Sequence, residues 1–337
     1  MDNSLVSILI PCYNAEKYVA AAIESALGQT WPNLEVIVVD DGSSDGSLRI
    51  AQHFTSKGVQ VVSQSNRGAS AARNHALAAS RGTYIKFLDA DDLVHPQLIE
   101  RQLARMGDSE TAVASAEWGR FYRDDPSTFQ LSSESVWRDM PSLDWLVEAW
   151  MNAQPMMQAA LFLVPRRLLD RCGGWNERLT LIDDFEFFSR VLCYADEVRF
   201  ASGAPVYYRS GIQGSLSGRM SQSAVESAYL SLTEGTAHLL KLRCDLPARK
   251  ACANLLQDFV YAYYPRNRHL IPEVDQRIYE LGGSSLIPTG TKPFERLRDI
   301  FGWRIAKRIQ RAAYRVGYKP RQRHRFGISG DMDTTLV

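Results

Sequence analysis

The chain has 337 residues, room for about two domains of ordinary size. Hydrophobic residues make up 45% and charged residues 23%, which excludes a disordered chain, and 39 Lys/Arg against 38 Asp/Glu single out no charged partner. Cys12, Cys172, Cys193, Cys244 and Cys252 contain no C-x-x-C pair, which argues against a disulfide scaffold or zinc finger and fits a reducing cytosol. No run approaches the ~18 apolar residues of a spanning helix, and Met1-Asp2-Asn3 lacks the basic start of a signal peptide. The expectation is a cytoplasmic protein that is neither secreted nor integral to a membrane. The balance hides an asymmetry: residues 291–325 hold 12 Lys/Arg and 2 acids, a net of +10, which leaves −9 for the remainder.

The first hundred residues alternate strand and helix signals. Leu5 to Ile10 is an apolar run ending at Pro11, and Ala15 to Gln29 shows a helical face of Tyr18, Ala22, Ile23, Ala26 and Leu27. Leu34 to Val39 is an apolar strand of the kind buried on both sides of a parallel sheet, and Asp45 caps a helix through Phe54. Val59 to Val62, Ala69 to Ser80 and Tyr84 to Leu88 complete a strand, helix and strand. This rhythm predicts β-α-β units in an α/β fold. Beyond Pro96 the pattern loosens. Gln97 to Met106 and Ser142 to Trp150 read as helices, Ala112 to Tyr122 and Ala159 to Val164 as strands, Asp183 to Tyr194 as a helix and Val206 to Tyr208 as a short strand. From Ser221 onward only helices fit: Ala224 to Leu242, Ala248 to Tyr264 and Phe294 to Val316. A soft boundary near Gly218 separates an α/β part (1–218) from a helical part (219–337).

Three strands end in polar clusters: Pro11-Cys12-Tyr13-Asn14, Asp40-Asp41-Gly42-Ser43-Ser44-Asp45 and Asp89-Ala90-Asp91-Asp92. In an open α/β sheet ligands bind outside the carboxyl ends of the strands. Carboxylates converging there need a compensating positive charge, and a bound divalent cation is the simplest. Asp89 and Asp91, two apart in extended chain, point to the same side, and Mg2+ or Mn2+ takes oxygen ligands and completes its shell with substrate phosphates. Acids at strand ends are also ordinary solvated turn formers.

Taken in order with Asn66-Arg67-Gly68-Ala69-Ser70-Ala71-Ala72-Arg73-Asn74, these clusters closely resemble the family-2 glycosyltransferases, which have the GT-A fold. The likeness is strong over residues 4–100 and recognisable to about 217. It implies a nucleotide-sugar-binding half (1–100) and an acceptor half (101–218). By this resemblance Pro11, Tyr13, Asn14 and Asp41 hold the base and ribose of a nucleotide-sugar. Asp91 is then the direct metal ligand, and Asp89 lies near both ribose and metal. Arg73 would pair with Asp41 or a phosphate, or serve as a plain intramolecular ion pair.

Inverting transfer needs a carboxylate to take the acceptor hydroxyl's proton. The family draws it from a late Glu-Asp pair opening a helix, matched here by Asp183-Asp184, with Asp184 as the base and Asp183 in the place of glutamate. Asp183-x-x-Glu186 also reads as a capping box, and the helix dipole would hold the Asp184 pKa low. Many relatives carry a histidine after the strand that ends here in Arg209; Ser210 to Ser217 has none, so Arg209 is the candidate for phosphate contact.

In the basic segment Phe294, Leu297, Phe301, Ile305, Ile309, Ala312 and Val316 form a helical stripe flanked by arginines. Such a helix suits an anionic membrane surface, on the inner face of the cytoplasmic membrane, or docking on the body of the protein. No nucleic-acid motif accompanies the charge. The implied activity is transfer of a sugar, UDP-linked by preference, to a glycan or lipid-linked acceptor with inversion, in cell-surface polysaccharide synthesis. A non-catalytic nucleotide-sugar-binding scaffold is the alternative. A dinucleotide oxidoreductase fails, because Pro11-Cys12-Tyr13-Asn14 stands where G-x-G-x-x-G belongs.

Overall fold

The computed structural model describes residues 4–211, 221–265, 267 and 269–315. The boundary near Gly218, Val316 and the basic positions from Lys319 to Arg325 lie outside the described residues. In chain order the elements are β1 (Val6–Cys12), α1 (Val19–Leu27), β2 (Leu34–Asp40), α2 (Ser47–Gln52), β3 (Gln60–Ser63), α3 (Ala69–Ala79), β4 (Tyr84–Phe87), β5 (Leu93–Val94), α4 (Leu98–Met106), β6 (Ala112–Tyr122), β7 (Asp125–Leu131), β8 (Met140–Pro141), α5 (Ser142–Trp150), β9 (Leu163–Pro165), α6 (Arg166–Cys172), α7 (Asp183–Tyr194) and β10 (Glu197–Ser210). The helices α8 (Gln222–Leu242), α9 (Leu246–Tyr263), α10 (Ile271–Glu280), α11 (Lys292–Phe301) and α12 (Trp303–Arg315) follow.

Among the described residues the strands form one sheet, ordered β3-β2-β1-β4-β9-β6-β10-β5, with β7 beside β6 and β8 beside β10. β3, β2, β1 and β4 are parallel, β9 runs against both β4 and β6, and β10 is parallel to β6. Every residue of β1 is buried, as the continuous apolar run Val6-Ser7-Ile8-Leu9-Ile10 requires of a central parallel strand. From β1 the chain builds outward to β2 and then returns to β4 on the other side. That reversal opens a crevice outside the strand ends. The register sets Cys12 beside Asp40 and Leu9 beside Phe87, so the polar clusters after β1, β2 and β4 emerge on one edge.

Several elements depart from the expected limits. The first helix starts at Val19, because Tyr18 and Val19 donate to the Ala15 carbonyl in a preceding turn. Residues 159–161 form a 3-10 turn before β9. The short strand expected at Val206 extends to 14 residues, with an irregularity between Ala201 and Val206 where Gly203 takes φ +77°. The long basic helix is two helices, broken at Gly302 with φ +79°.

Residues of α8, α9 and α10 belong to the same continuous hydrophobic core as the sheet. Ser221 and Asp245 cap α8 and α9 by accepting from the N–H groups of Ala224 and Ala248. Asn254 on α9 donates to the Met151 carbonyl at 2.7 Å, tying the helical part to the end of α5.

Gly82 sets the entry to β4: its N–H donates to Ser7 Oγ at 2.8 Å and Glu35 Oε1 at 3.0 Å. A Cβ there would lie 2.6 Å from the Ser7 nitrogen and 2.9 Å from the Leu5 carbonyl oxygen, both backbone atoms that cannot step aside. Gly82→Ala should therefore cost about 1–3 kcal/mol. Thermal unfolding should show a melting temperature lower by roughly 1–4 °C, and an unchanged value would contradict the packing described at this turn.

Candidate active site

The crevice begins at Pro11, buried at the end of β1, and Tyr13, whose ring is 47% exposed at the rim. Asn14 sits at φ 48°, a conformation asparagine tolerates, and is tied down by the adjoining loop. Its N–H donates to Ser43 Oγ at 3.0 Å and its Oδ1 accepts from the Ser44 N–H at 2.8 Å. Asp41 is buried and accepts from Gln64 Nε2 (2.8 Å), Arg67 N (2.9 Å) and Gly68 N (2.8 Å). It thereby fixes the loop that opens α3.

Arg73 is not paired with Asp41. It is buried, and its guanidinium forks between two acids: Nη2 donates to Asp89 Oδ1 at 2.7 Å and Nη1 to Asp183 Oδ2 at 2.6 Å. Ser70, one helical turn earlier, donates to the same Asp183 oxygen at 2.8 Å. The guanidinium lies over the Trp175 ring, 4.3 Å from its centroid. Trp175 in turn stacks on Phe187 at 4.0 Å and 7°, and Phe87 of β4 meets both rings edge-on. Asn74 locks the tryptophan by bonding both its backbone N–H (2.7 Å) and its carbonyl (2.9 Å). Ser70 and Asn74 stand in the Asn66–Asn74 motif without a role of their own there; the signal for them is the i, i+3, i+4 spacing of Ser70, Arg73 and Asn74 on one face of α3, whereas Trp175 lies outside that motif.

The acids after β4 are crowded. Burial, then Asp89, pushes the Asp91 carboxyl up to about 6, and burial with Asp91 and Asp89 raises Asp92 well above the usual range. Asp92 accepts from the Arg209 N–H at 2.8 Å through one oxygen, while its other oxygen is buried without a partner among the described residues. Arg209 itself is buried against Tyr18 and Phe121, donating Nε to the Asp91 carbonyl at 2.6 Å and Nη1 to Asp124 at 2.5 Å. In this structure it braces the loop from beneath.

Across the crevice, α7 begins at Asp183-Asp184. The expected capping box does not form. The residue before the helix is Ile182 at φ 57°, an outlier for a β-branched side chain, and no side chain caps the end. Asp183 is drawn to Arg73 and Ser70, while Glu186 turns to Arg190 (2.7 Å) and His238 (3.1 Å). The strained residue is held from α8: Ser231 donates to the Ile182 carbonyl at 2.5 Å, and Ser227 Oγ accepts from the N–H groups of Thr180 and Leu181. Gly235 permits this approach, since a Cβ there would lie 2.5 Å from the Phe185 ring.

Asp184 departs from the expectation of a low pKa. Burial first, then Asp183, pushes it up to about 7, outweighing Arg73 and the helix end. Its only hydrogen bond among those described is from the Phe185 N–H at 2.9 Å. Asp183 is salt-bridged, whereas Asp184 makes no salt bridge among the described residues and feels Arg73 only through its field. Tyr208 on β10 shares the field of Asp92, Asp91 and Asp184, and burial pushes its hydroxyl above the usual range. Asp89, Asp91, Asp183 and Asp184 therefore meet around Arg73, while Tyr13, Asn14 and Asp41 line the β1–β2 side.

Residues 7–171 match Glycosyl transferase family 2. The chain is 30% identical over 181 residues to glycosyltransferase GlyG of Streptococcus pneumoniae serotype 4, a stretch covering 52% of this chain and 59% of that protein. It is 48% identical over 98 residues to chondroitin synthase of Escherichia coli, covering 28% and 14%. The chain thus spans well under two thirds of the length of these relatives. TarS 1–349 of S. aureus, solved in complex with UDP, matches 94% of this chain and 93% of its own with a TM-score of 0.66 at 18% identity. Mannosyltransferase PcManGT from Pyrobaculum calidifontis, solved with GDP-Man and Mn2+, gives 0.52 over 91% and 86% at 17% identity. At such identities these likenesses establish the fold, GT-A with a helical C-terminal region. By its ordered motifs, its sheet and its match over residues 7–171, the chain belongs to the family-2 glycosyltransferases.

Proposed function

We propose that the protein moves a sugar from a nucleotide-diphosphate donor, a UDP-sugar by preference, to a hydroxyl of a glycan or lipid-linked acceptor with inversion, in cell-surface polysaccharide synthesis. The observation that carries this reading is the Arg73 bridge, which brings the Asp89-x-Asp91 edge and the Asp183-Asp184 helix end to one rim. The ligands named for the neighbours, UDP for TarS and GDP-Man with Mn2+ for PcManGT, support a nucleotide-sugar donor. Chondroitin synthase among the relatives supports a polysaccharide context.

In this reading Tyr13 stacks on the base, Pro11 and Asn14 shape the ribose end, and Asp41 receives the base's N–H. The donor set after β4 is all oxygen, crowded and under-neutralised, with a buried Asp92 oxygen lacking a partner, which fits Mg2+ or Mn2+. Asp91 and Asp89 would hold the ion. Among the described residues no three His, Cys, Asp or Glu side chains are grouped to enclose a metal, so its shell would be completed by the donor's phosphates. When bound, the cation neutralises charge on the departing diphosphate.

Asp184 takes the proton of the acceptor hydroxyl, and that oxygen attacks the anomeric carbon opposite the diphosphate. The sugar–phosphate C–O bond breaks with its electron pair passing to the nucleoside diphosphate. Asp183 is not suited to the proton transfer, because its Oδ2 is taken up by the buried Arg73 and by Ser70. Its part is to seat the helix end.

Asp184→Asn should lower kcat for sugar transfer by about 10²–10⁴-fold while leaving donor KM within a few-fold. A variant with wild-type turnover in a nucleotide-sugar panel would remove Asp184 from the mechanism. In the free enzyme, kcat/KM should rise tenfold per pH unit toward about 7 and then level off as Asp184 loses its proton.

The same shift sets a stability signature. A carboxyl whose folded pKa lies above its unfolded value stabilises the fold while protonated, and that stability is lost as pH rises from about 4 through about 7. Asp184→Asn should therefore melt roughly 2–4 °C above wild type at pH 8 and no higher at pH 4. Equal melting curves at both pH values would contradict the burial assigned to this carboxyl.

Asp91→Asn should abolish the thermal stabilisation that UDP with Mn2+ gives the wild type. If the variant is stabilised as strongly as wild type, Asp91 is not a ligand.

A further inference from the structure

The helix pair at the end of the described chain leaves an apolar row that the fold does not use. On α12 the residues Trp303, Ala306, Lys307, Gln310, Arg311 and Tyr314 share one face by their 3-1-3-1-3 spacing, and that face is turned to the body. Trp303 meets Tyr261 and Tyr264 edge-on at 4.8 and 5.3 Å, and Ala306 is fully buried. Arg311 donates to the Ala262 carbonyl at 3.2 Å, and Arg304 pairs with Asp275 at 2.6 Å. The opposite face carries Ile305, Arg308, Ile309 and Ala312. Ile305 and Ile309 are 47% and 42% exposed, and Ile300 and Phe301, just before the Gly302 break, are 71% and 54% exposed. The helix docks by the face that does not hold the apolar stripe.

Docking and an open stripe are thus both satisfied at once, and the charge on the open side identifies its occupant. Residues 292–315 hold eight Lys/Arg and two acids; Arg296 and Arg308 are exposed beside the apolar row, Arg308 with its guanidinium 5.6 Å from the Tyr264 ring, while Arg304 is held on the body side by Asp275. We propose that the outer face of α12, with the end of α11, is a contact surface for an anionic lipid bilayer. Isoleucine and phenylalanine would enter the headgroup boundary while the arginines meet lipid phosphates and carboxylates. A second copy of the chain on this face would set arginine against arginine. The row also lacks the ladder of aromatic rings on which single-stranded nucleic acid stacks. This inference does not depend on the catalytic reading, because no residue of the crevice takes part.

The test is co-sedimentation of the full chain with vesicles of phosphatidylcholine containing about one third phosphatidylglycerol, against pure phosphatidylcholine. Wild type should bind the anionic vesicles selectively, and binding should weaken about tenfold or more between low and high salt. The double variant Ile305→Ser/Ile309→Ser, both side chains facing away from the body, should keep the wild-type melting temperature and lose about tenfold or more in vesicle affinity. Arg308→Gln with Arg296→Gln should reduce binding to anionic vesicles and flatten its salt dependence. Equal binding of wild type and the isoleucine variant, or indifference to phosphatidylglycerol, overturns the proposal. So does concentration-dependent dimerisation, or binding of an oligonucleotide in place of vesicles, that the isoleucine substitutions abolish.

Discussion

The buried fork of Arg73 between Asp89 and Asp183 is the interaction on which the arrangement of the crevice depends. Its two acids come from opposite halves of the α/β part, one leaving β4 and the other opening α7, more than ninety residues later in the chain. Buried ion pairs of this kind are weak contributors to net stability, but removing one partner leaves uncompensated charge and costs about 3–5 kcal/mol. The protein has built a rigid seat for that cation. Trp175, Phe187 and Phe87 support the guanidinium plane from below, and Asn74 fixes the tryptophan through both backbone groups. The bridge thus acts as a spacer that holds two acidic elements at one rim.

The same end of α7 is held by a second device. Ile182 sits in a left-handed conformation that costs an L-residue roughly 1–2 kcal/mol, and it turns the chain so that Asp183 and Asp184 both enter the crevice. Ser227 and Ser231 on α8 bond the backbone of Thr180, Leu181 and Ile182, and Gly235 lets α8 approach Phe185. The C-terminal helical part is therefore a buttress for the acid pair. The raised pKa of Asp184 belongs to the same logic: a carboxyl kept from water and set beside Asp183 is costly to ionise even with Arg73 near, and so is a better acceptor of a proton once ionised.

Much of this was readable in the sequence, and the parts that were not have physical causes. Continuous apolar runs such as Ile8-Leu9-Ile10 and Val36-Ile37-Val38-Val39 have only one comfortable place, the centre of a parallel sheet, so the first four strands and the acids that leave them were legible. Strand β10 was seen only at Val206 to Tyr208, because the irregularity at Gly203 breaks its alternation. The partner of Arg73 could not be read, since several carboxylates lie in reach of that edge and sequence spacing does not measure distance across a crevice. The capping box failed because Asp183 finds a stronger partner in Arg73 than in the end of its own helix. The dipole argument for a low Asp184 pKa failed because burial and Asp183 outweigh the helix end. The apolar stripe near the C-terminus was legible in composition, but only the fold shows that Trp303 and Ala306 dock on its reverse.

The most direct measurement is a crystal structure of the full chain with a UDP-sugar and Mn2+, using manganese anomalous scattering to place the ion. The account requires the anomalous peak at the Asp91 and Asp89 carboxylates, the diphosphate against it, the base beside Tyr13 and Asp41, and the anomeric carbon facing Asp184. A nucleotide bound elsewhere, or a manganese ion remote from Asp91, would contradict it.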